Sequence, residues 1–267
     1  MTQDQDTLDR HINSFARRSF RDTADGDYIS ARLACRALLT SQFLWAAQQA
    51  LEKYLKYILL VNRIPAKKVG HNILSALDLT QRLPFKIELR PESLKFIKHV
   101  ARYGEYRYLD ISYFLRGYVL LDLDRAVWDL RRYCQVLDVC GKELPADEQL
   151  MLEKAKENLL VSRDRPPHEF RLIGGFLEQI LDKKDHPARE ALVWQNAFFG
   201  ARSRTYVRVQ NHMSAKNSPL YIYPHMLDEL LKYVKIPEKL AGGYRQHLEN
   251  RLTEQKERNE SHHPSNK

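Results

Sequence analysis

The spacing of apolar residues predicts helices along most of the chain. Between residues 27 and 62, apolar or small side chains recur every three or four positions, which is the period of an amphipathic helix. Asp27 is predicted to cap the start of this stretch, and Pro65 follows its end. Thr40 and Ser41 interrupt the apolar stripe, so the pattern predicts two long helices joined by a tight break.

Three further helices are predicted before the middle of the chain. Asn72 is a suitable N-cap for a short helix, and Pro91 suits the first turn of a helix that ends near Gly104. A third amphipathic pattern covers residues 121–139. The segment between the last two, residues 105–118, is rich in aromatic residues and irregular, which favours a structured loop or a short hairpin.

The second half of the chain is predicted to be mostly helical, with one short β-hairpin. Helical patterns cover residues 148–162, 170–183, 188–199, 225–234 and 241–258, whereas residues 205–210 alternate like a strand that could pair with residues 220–223. The fold class is therefore mainly α. We expect a basic N-terminal arm (1–24), a first helical domain (25–140), a second, mostly helical domain (147–255) and a disordered tail (256–267).

Net charge and cysteine content constrain the compartment and the class of partner more than they constrain the reaction that the protein could perform. The net charge of +9 is compatible with a polyanionic partner, but the basic residues are interspersed with acids, which equally suits a solvated mixed surface. The three cysteines lack the spacing of a metal or disulfide framework, and no apolar run is long enough for a signal or a membrane span. We therefore expect a cytoplasmic protein without a membrane segment.

Two neighbouring motifs carry a resemblance to a known family. The helix AAQQALEKYLK at residues 46–56, followed after a short loop by Gly70-His71-Asn72, resembles the signature of HEPN domains. The resemblance implies an up-and-down helical bundle over roughly residues 25–140, often dimeric. It also implies a site after the third helix, because many HEPN proteins are metal-independent ribonucleases with an R-x4–6-H motif. There the arginine holds a phosphate, and the histidine exchanges protons with the RNA 2′-hydroxyl.

This chain departs from that motif at its histidine. Arg102 stands at the expected position, but the residue after a four-residue gap is Arg107. Arginine binds phosphate and stays protonated, so it cannot transfer a proton at neutral pH. His99, one helical turn before Arg102, is the candidate for a rearranged catalytic pair. His71 is expected to orient its loop, and we attribute the literal R-x4-H match that ends at His168 to chance, because two prolines place it in a loop.

The same region supplies the candidate binding surface. Cations for phosphates and aromatic faces for bases are what single-stranded RNA or a nucleotide requires. The predicted RNA- or nucleotide-binding residues are Arg102, Tyr103, Arg107, Tyr108 and Arg116. The alternative is that the aromatic residues pack this loop onto the bundle or across a dimer interface. A second arginine-aromatic stretch, residues 202–212, is interpreted as a solvated basic strand.

No other catalytic signature is present, and three functions stay open. The sequence contains no phosphate-binding loop, dinucleotide motif, zinc-protease motif or nucleophile elbow, so we predict no cofactor and no metal. HEPN proteins often act beside a minimal nucleotidyltransferase; its motif is absent, so such a partner would be a separate protein. The first function is RNA or nucleotide binding without cleavage, by a homodimer that lacks the usual ribonuclease site, in bacterial stress, toxin–antitoxin or phage-defence systems. The others are a ribonuclease with a rearranged site, and a helical dimerisation scaffold that binds protein only.

Overall fold

A computed structural model describes residues 3–104, 111–137, 146–163, 165–200 and 207–261. The fold is mainly α, as predicted. In chain order the regular elements are α1 Gln3–Ala16, α2 Asp22–Arg36, α3 Thr40–Val61, α4 Ile73–Leu79, α5 Pro91–Tyr103, β1 Tyr113–Gly117, α6 Val119–Arg131, α7 Ala146–Val161, α8 Phe176–Asp182, α9 Arg189–Val193, β2 His212–Lys216, α10 Pro219–Ile222, α11 Leu227–Leu230 and α12 Glu238–Ser261.

The N-terminal residues form part of the first long helix. A π-helical turn, Arg17–Arg21, joins α1 to α2 without a break, so Asp27 lies inside α2 instead of capping it. The predicted basic arm is therefore helical where it is described. The predicted break at residues 40–41 is present, because the chain turns at Leu38, whose φ of 60° is left-handed, and α3 begins at Thr40.

Helix α3 is the central helix of the N-terminal bundle. It packs against α1, α2, α4, α5 and α6. Its buried side chains point in almost every direction, which is typical of a helix enclosed by neighbours instead of one with a solvent face. The predicted caps of two surrounding helices are confirmed: the Asn72 side chain accepts a hydrogen bond from the backbone N–H of Ser75, and Pro91 occupies the first turn of α5.

The described residues divide into two compact units. The first comprises residues 1–105 and 116–212, and the second comprises residues 106–115 and 213–267. This division differs from the predicted boundary near residues 141–147, because α8 and α9 pack with α2 in the first unit. The second unit has its own small core, made of Leu220, Leu227, Ile236, Ala241 and Tyr244.

Two predictions about the second half require correction. Residues 220–223 do not form a strand: Pro219 starts the short helix α10, and the Ser218 side chain accepts a hydrogen bond from the N–H of Leu220. The strand that is present, β2, pairs with β1. The predicted tail also begins too early, since α12 continues to Ser261. No described helix has both the length and the apolar character needed to cross a membrane.

Candidate functional site

The end of α5 carries three of the predicted site residues. A buried carboxylate, Asp129 on α6, anchors the start of this helix by accepting hydrogen bonds from the Ser93 hydroxyl (2.6 Å) and the Arg90 N–H (3.1 Å). At the other end Gly104 lies directly against α3. A Cβ at this position would lie 2.8 Å from the Gln48 side chain and 2.9 Å from the Leu44 carbonyl oxygen, so only glycine allows this approach.

His99, Arg102 and Tyr103 are brought together at this end. The ring centroids of His99 and Tyr103 are 4.8 Å apart, and the guanidinium carbon of Arg102 lies 5.3 Å from the Tyr103 centroid. Their accessibility differs, however. Arg102 is exposed, whereas the Tyr103 side chain and the Nε2 atom of His99 are buried. The structure therefore exposes the arginine, encloses the ring that was predicted to contact a base, and encloses one of the two ring nitrogens of the histidine.

The remaining predicted binding residues are only partly described. Arg107 and Tyr108 lie outside the described residues. Arg116 is exposed on β1, on the same side of the strand as the exposed Phe114, while Tyr113 and Leu115 are buried on the other side. This alternation places a cation and an aromatic ring on the exposed face of the strand.

A second group of polar side chains, on α3 and in the following loop, adjoins Gly104. Glu52 is buried although it lies in a motif with two lysines. Its carboxylate is 2.6 Å from the Lys56 ammonium and 3.1 Å from Nδ1 of His71. The His71 carbonyl oxygen accepts a hydrogen bond from the Gln48 side-chain amide at 3.4 Å. Gln48 therefore contacts both the His71 loop and the end of α5.

A buried ionic network joins residues 172–199 to the N-terminal bundle. The Arg131 guanidinium donates to both carboxylate oxygens of Asp25 (2.7 and 2.9 Å) and to both of Glu178 (2.8 and 2.7 Å). Burial alone would raise the pKa of Glu178, but the Arg131 guanidinium and the Leu172 N–H hold that pKa below its ordinary value. A glycine is needed beside this pair, because a Cβ at Gly175 would lie 1.9 Å from a Glu178 oxygen.

A second buried ion pair lies two turns further along α2. Arg32 pairs with Asp124 of α6 and donates to the carbonyl oxygens of Ala191 and Trp194. The carboxylate of Asp124 also accepts a hydrogen bond from the Tyr28 hydroxyl at 2.6 Å, and burial raises the pKa of Tyr28 well above its ordinary value. Arg32 and Arg131 are both buried and paired with carboxylates, so they are structural groups that are unavailable to a nucleic acid.

The other sequence candidates are dispersed. Arg163, which begins the literal R-x4-H match, pairs with Glu88 at 2.7 Å on the surface, and His168 lies in a separate turn, Pro167–Glu169. In the second arginine-aromatic stretch, residues 202–206 lie outside the described residues, Arg208 is exposed, and His212 is buried with Nε2 3.5 Å from the Cys35 sulfur. Within the described ranges, no three His, Cys, Asp or Glu side chains are arranged to hold a metal ion.

The comparisons with known proteins identify one domain. A family model described as HEPN domain matches residues 18–128, which run from the start of the π-helical turn through most of α6. Neither the curated proteins nor the solved structures gave a significant match. The matched region includes the Gln48, Glu52 and His71 group as well as the end of α5. The N-terminal half of this chain is therefore a HEPN domain.

Proposed function

We propose that this HEPN domain binds RNA through the surface at the end of α5. The observation that carries the proposal is the position of Arg102, an exposed guanidinium beside the Tyr103 ring, at the place where the family's phosphate-binding arginine is expected. Arg107, Tyr108 and Arg116 are the predicted extensions of this surface. A guanidinium can hold a phosphate with two parallel hydrogen bonds. Tyr103 is buried, so Tyr108 is the predicted aromatic partner for a base.

The proposed binding does not use the family's usual proton-transfer residue. Arg107 stands where a histidine is expected, and a guanidinium that stays protonated cannot serve as a base. His99 has one of its two ring nitrogens, Nε2, buried, so the proposal does not rely on it as a base. The proposal is therefore binding of RNA at an arginine-containing surface, with a free nucleotide as the competing ligand.

A salt titration of RNA binding tests the proposal. Fluorescently labelled single-stranded RNA should bind wild type at low salt, and the affinity should fall as salt rises. Arg102→Gln should weaken binding by about tenfold and reduce the slope of log affinity against log salt by roughly 0.7, as expected for one lost phosphate contact. Arg82→Gln, a change at another exposed arginine, should leave both quantities within about twofold of wild type.

The outcomes separate the candidate functions. Equal weakening by both arginine changes would indicate a diffuse charge effect and contradict a site at α5. Competition by a nucleoside monophosphate at the same concentration as RNA nucleotides would favour a nucleotide ligand. No binding at low salt would refute the proposal and leave a helical scaffold for protein partners.

The biological setting is part of the proposal. We place the protein in the cytoplasm as a homodimer, in bacterial stress, toxin–antitoxin or phage-defence systems, with a separate nucleotidyltransferase as a candidate partner. The two described cysteines, Cys35 and Cys134, are buried free thiols, which supports a reducing compartment. Sedimentation of the purified protein at several concentrations tests the dimer directly: a single monomeric species throughout would refute it.

A further inference from the structure

The second unit carries a stacked pair of aromatic rings on its surface. The Tyr221 ring, on α10, and the His247 ring, on α12, have centroids 4.6 Å apart and planes that differ by only 11°. Tyr221 is 49% exposed although His247 covers part of its ring. A half-exposed aromatic ring that is held in one orientation offers its open side to another planar group.

Contacts between α10 and α12 hold this pair in place. Nε2 of His247 donates to the Tyr221 carbonyl oxygen at 3.3 Å, and the Arg251 guanidinium donates to the next carbonyl oxygen, that of Ile222, at 2.9 Å. His247 and Arg251 are four residues apart, so they lie on one face of α12. Leu220, the residue before Tyr221, is buried in the core of the unit. The ring is therefore ordered before any ligand binds, which reduces the entropic cost of binding.

Arg251 adds a positive charge that no carboxylate of the described residues balances. One nitrogen of its guanidinium binds the Ile222 carbonyl, which carries no net charge, and the other N–H groups have no described partner. Arg245, on the same helix, differs because it pairs with Asp228 at 3.1 Å and with Glu238 at 3.2 Å. The charge of Arg245 is thus balanced within the unit, whereas Arg251 is available to an anion.

We infer that the Tyr221 surface, made of Tyr221, His247 and Arg251, is a second contact site for single-stranded RNA. The inference extends the proposed function and rests on it for the ligand. A base stacks on the open side of the Tyr221 ring, and a neighbouring phosphate binds the remaining N–H groups of Arg251. A protein partner that covered this surface with apolar side chains would bury the Arg251 charge without a partner, so the charge favours RNA.

Substitutions at Tyr221 test the stacking contact. Fluorescently labelled single-stranded RNA is titrated with the full-length protein at low salt. Tyr221→Leu removes the ring and should weaken binding by roughly tenfold, as expected for the loss of one stacked base. Tyr221→Phe keeps the ring and should bind as wild type does. Tyr233→Leu is the matched control, because Tyr233 is also exposed but its hydroxyl donates to the Glu229 carboxylate, and it should bind as wild type does.

A change at Arg251 tests the phosphate contact. Arg251→Gln should reduce the slope of log affinity against log salt by roughly 0.7, the value for one lost phosphate contact. Lys239→Gln removes an exposed positive charge about 18 Å away along the same helix and should leave the slope unchanged. An abasic oligonucleotide of the same length separates the two contacts. Arg251→Gln should weaken its binding, whereas Tyr221→Leu should not.

Arg102→Gln, measured beside these variants, separates this inference from the proposed function. The expected result is RNA affinity that falls in both Arg102→Gln and Tyr221→Leu. Affinity that falls in Arg102→Gln and is unchanged in Tyr221→Leu would overturn the inference, leave the proposed function intact and favour a protein as the partner of the Tyr221 surface. Equal weakening by Tyr221→Leu and Tyr233→Leu would also overturn it. Affinity that falls in Tyr221→Leu alone would support this site and refute the site at α5, and no RNA binding by wild type would refute both.

Discussion

Replacing Arg131 with methionine should destabilise the protein more than any surface change. The Arg131 guanidinium is 1% exposed and is the shared partner of two buried carboxylates, those of Asp25 and Glu178. Without it, Asp25 keeps the Tyr54 hydroxyl at 2.6 Å, and Glu178 keeps the N–H of Leu172 at 3.0 Å, but neither carboxylate has a counter-charge in this network. Breaking a buried ion pair from one side costs about 3–5 kcal/mol.

Urea unfolding followed by circular dichroism measures this cost. Since two carboxylates lose their partner, we expect Arg131→Met to lower the free energy of unfolding by at least about 3 kcal/mol. Arg163→Gln supplies the control, because its pair with Glu88 is roughly half exposed on both sides and should change stability by less than about 1 kcal/mol. A loss of under 1 kcal/mol in Arg131→Met would refute the claim that this network joins residues 172–199 to the bundle.

The same network predicts a pH dependence. The folded-state pKa of Glu178 is lowered from its ordinary value of 4.5, so its ion pair stabilises the fold above that value and is lost as pH falls through the lower folded-state pKa. The difference in unfolding free energy between wild type and Glu178→Gln should therefore be largest near neutral pH and shrink below about pH 4.5. A difference that stays constant from pH 7 to pH 3 would contradict the lowered pKa.

Two glycines, one helix cap and the buried thiols supply three further predictions. Gly175→Ala should lower the free energy of unfolding in urea by about 1–3 kcal/mol, because its Cβ would overlap Glu178. Gly26→Ala, inside α2 with open space around it, should raise that free energy by about 0.4–1 kcal/mol, and equal effects of the two changes would show that the close contact at Gly175 is absent. Asn72→Ala should cost about 0.5–2 kcal/mol through the lost cap of α4, and an unchanged melting temperature would argue against that cap. In a Cys140→Ser variant, the two remaining thiols are both buried, so a thiol reagent should react with neither until urea unfolds the protein; a fast native reaction would contradict their burial.

The low reactivity that we expect of these thiols also follows from their raised pKa values. Burial raises the pKa of the Cys35 thiol to about 12, and it also raises the pKa of the Cys134 thiol. Thiolate is the reactive form, so both residues are mostly protonated at neutral pH. The absence of a cysteine motif in the sequence and the burial of these side chains thus favour the same interpretation, that both are packing residues.

Local sequence patterns correctly predicted those helix starts that are marked by a break, a capping residue or a proline. The break before Thr40, the cap at Asn72 and the proline at residue 91 all lie where the pattern placed them. Each of these signals acts over a few residues, so no tertiary contact is needed to interpret it. The short helices α8 and α9 were predicted too long, because their ends are set by contacts with the bundle and not by local caps.

Local sequence patterns could not predict which arginines are buried or which carboxylates they pair with. Arg32 and Asp124 are 92 residues apart, and Arg131 and Glu178 are 47 apart, so no spacing rule connects them. From the sequence, Arg32 is one of the cations behind the net charge of +9. In the fold it is buried with a carboxylate, so it is not available to RNA. Because the pair buries one charge of each sign, the net charge of the surface is unchanged, and the proposed RNA binding depends on individual exposed residues such as Arg102.

Burial that the sequence does not reveal also separates His99 from His71 in the N-terminal half. Helical spacing favoured His99, because residues three apart share a face with Arg102. Spacing cannot show which ring nitrogen reaches solvent, and in the fold Nε2 of His99 is buried, while the His71 side chain is exposed with a buried carboxylate behind it. A proton-transfer group needs both an accessible nitrogen and an orienting partner. His71 has such a partner in Glu52 and an exposed ring, so exposure and the position of a buried carboxylate, neither of which helical spacing reveals, separate it from His99.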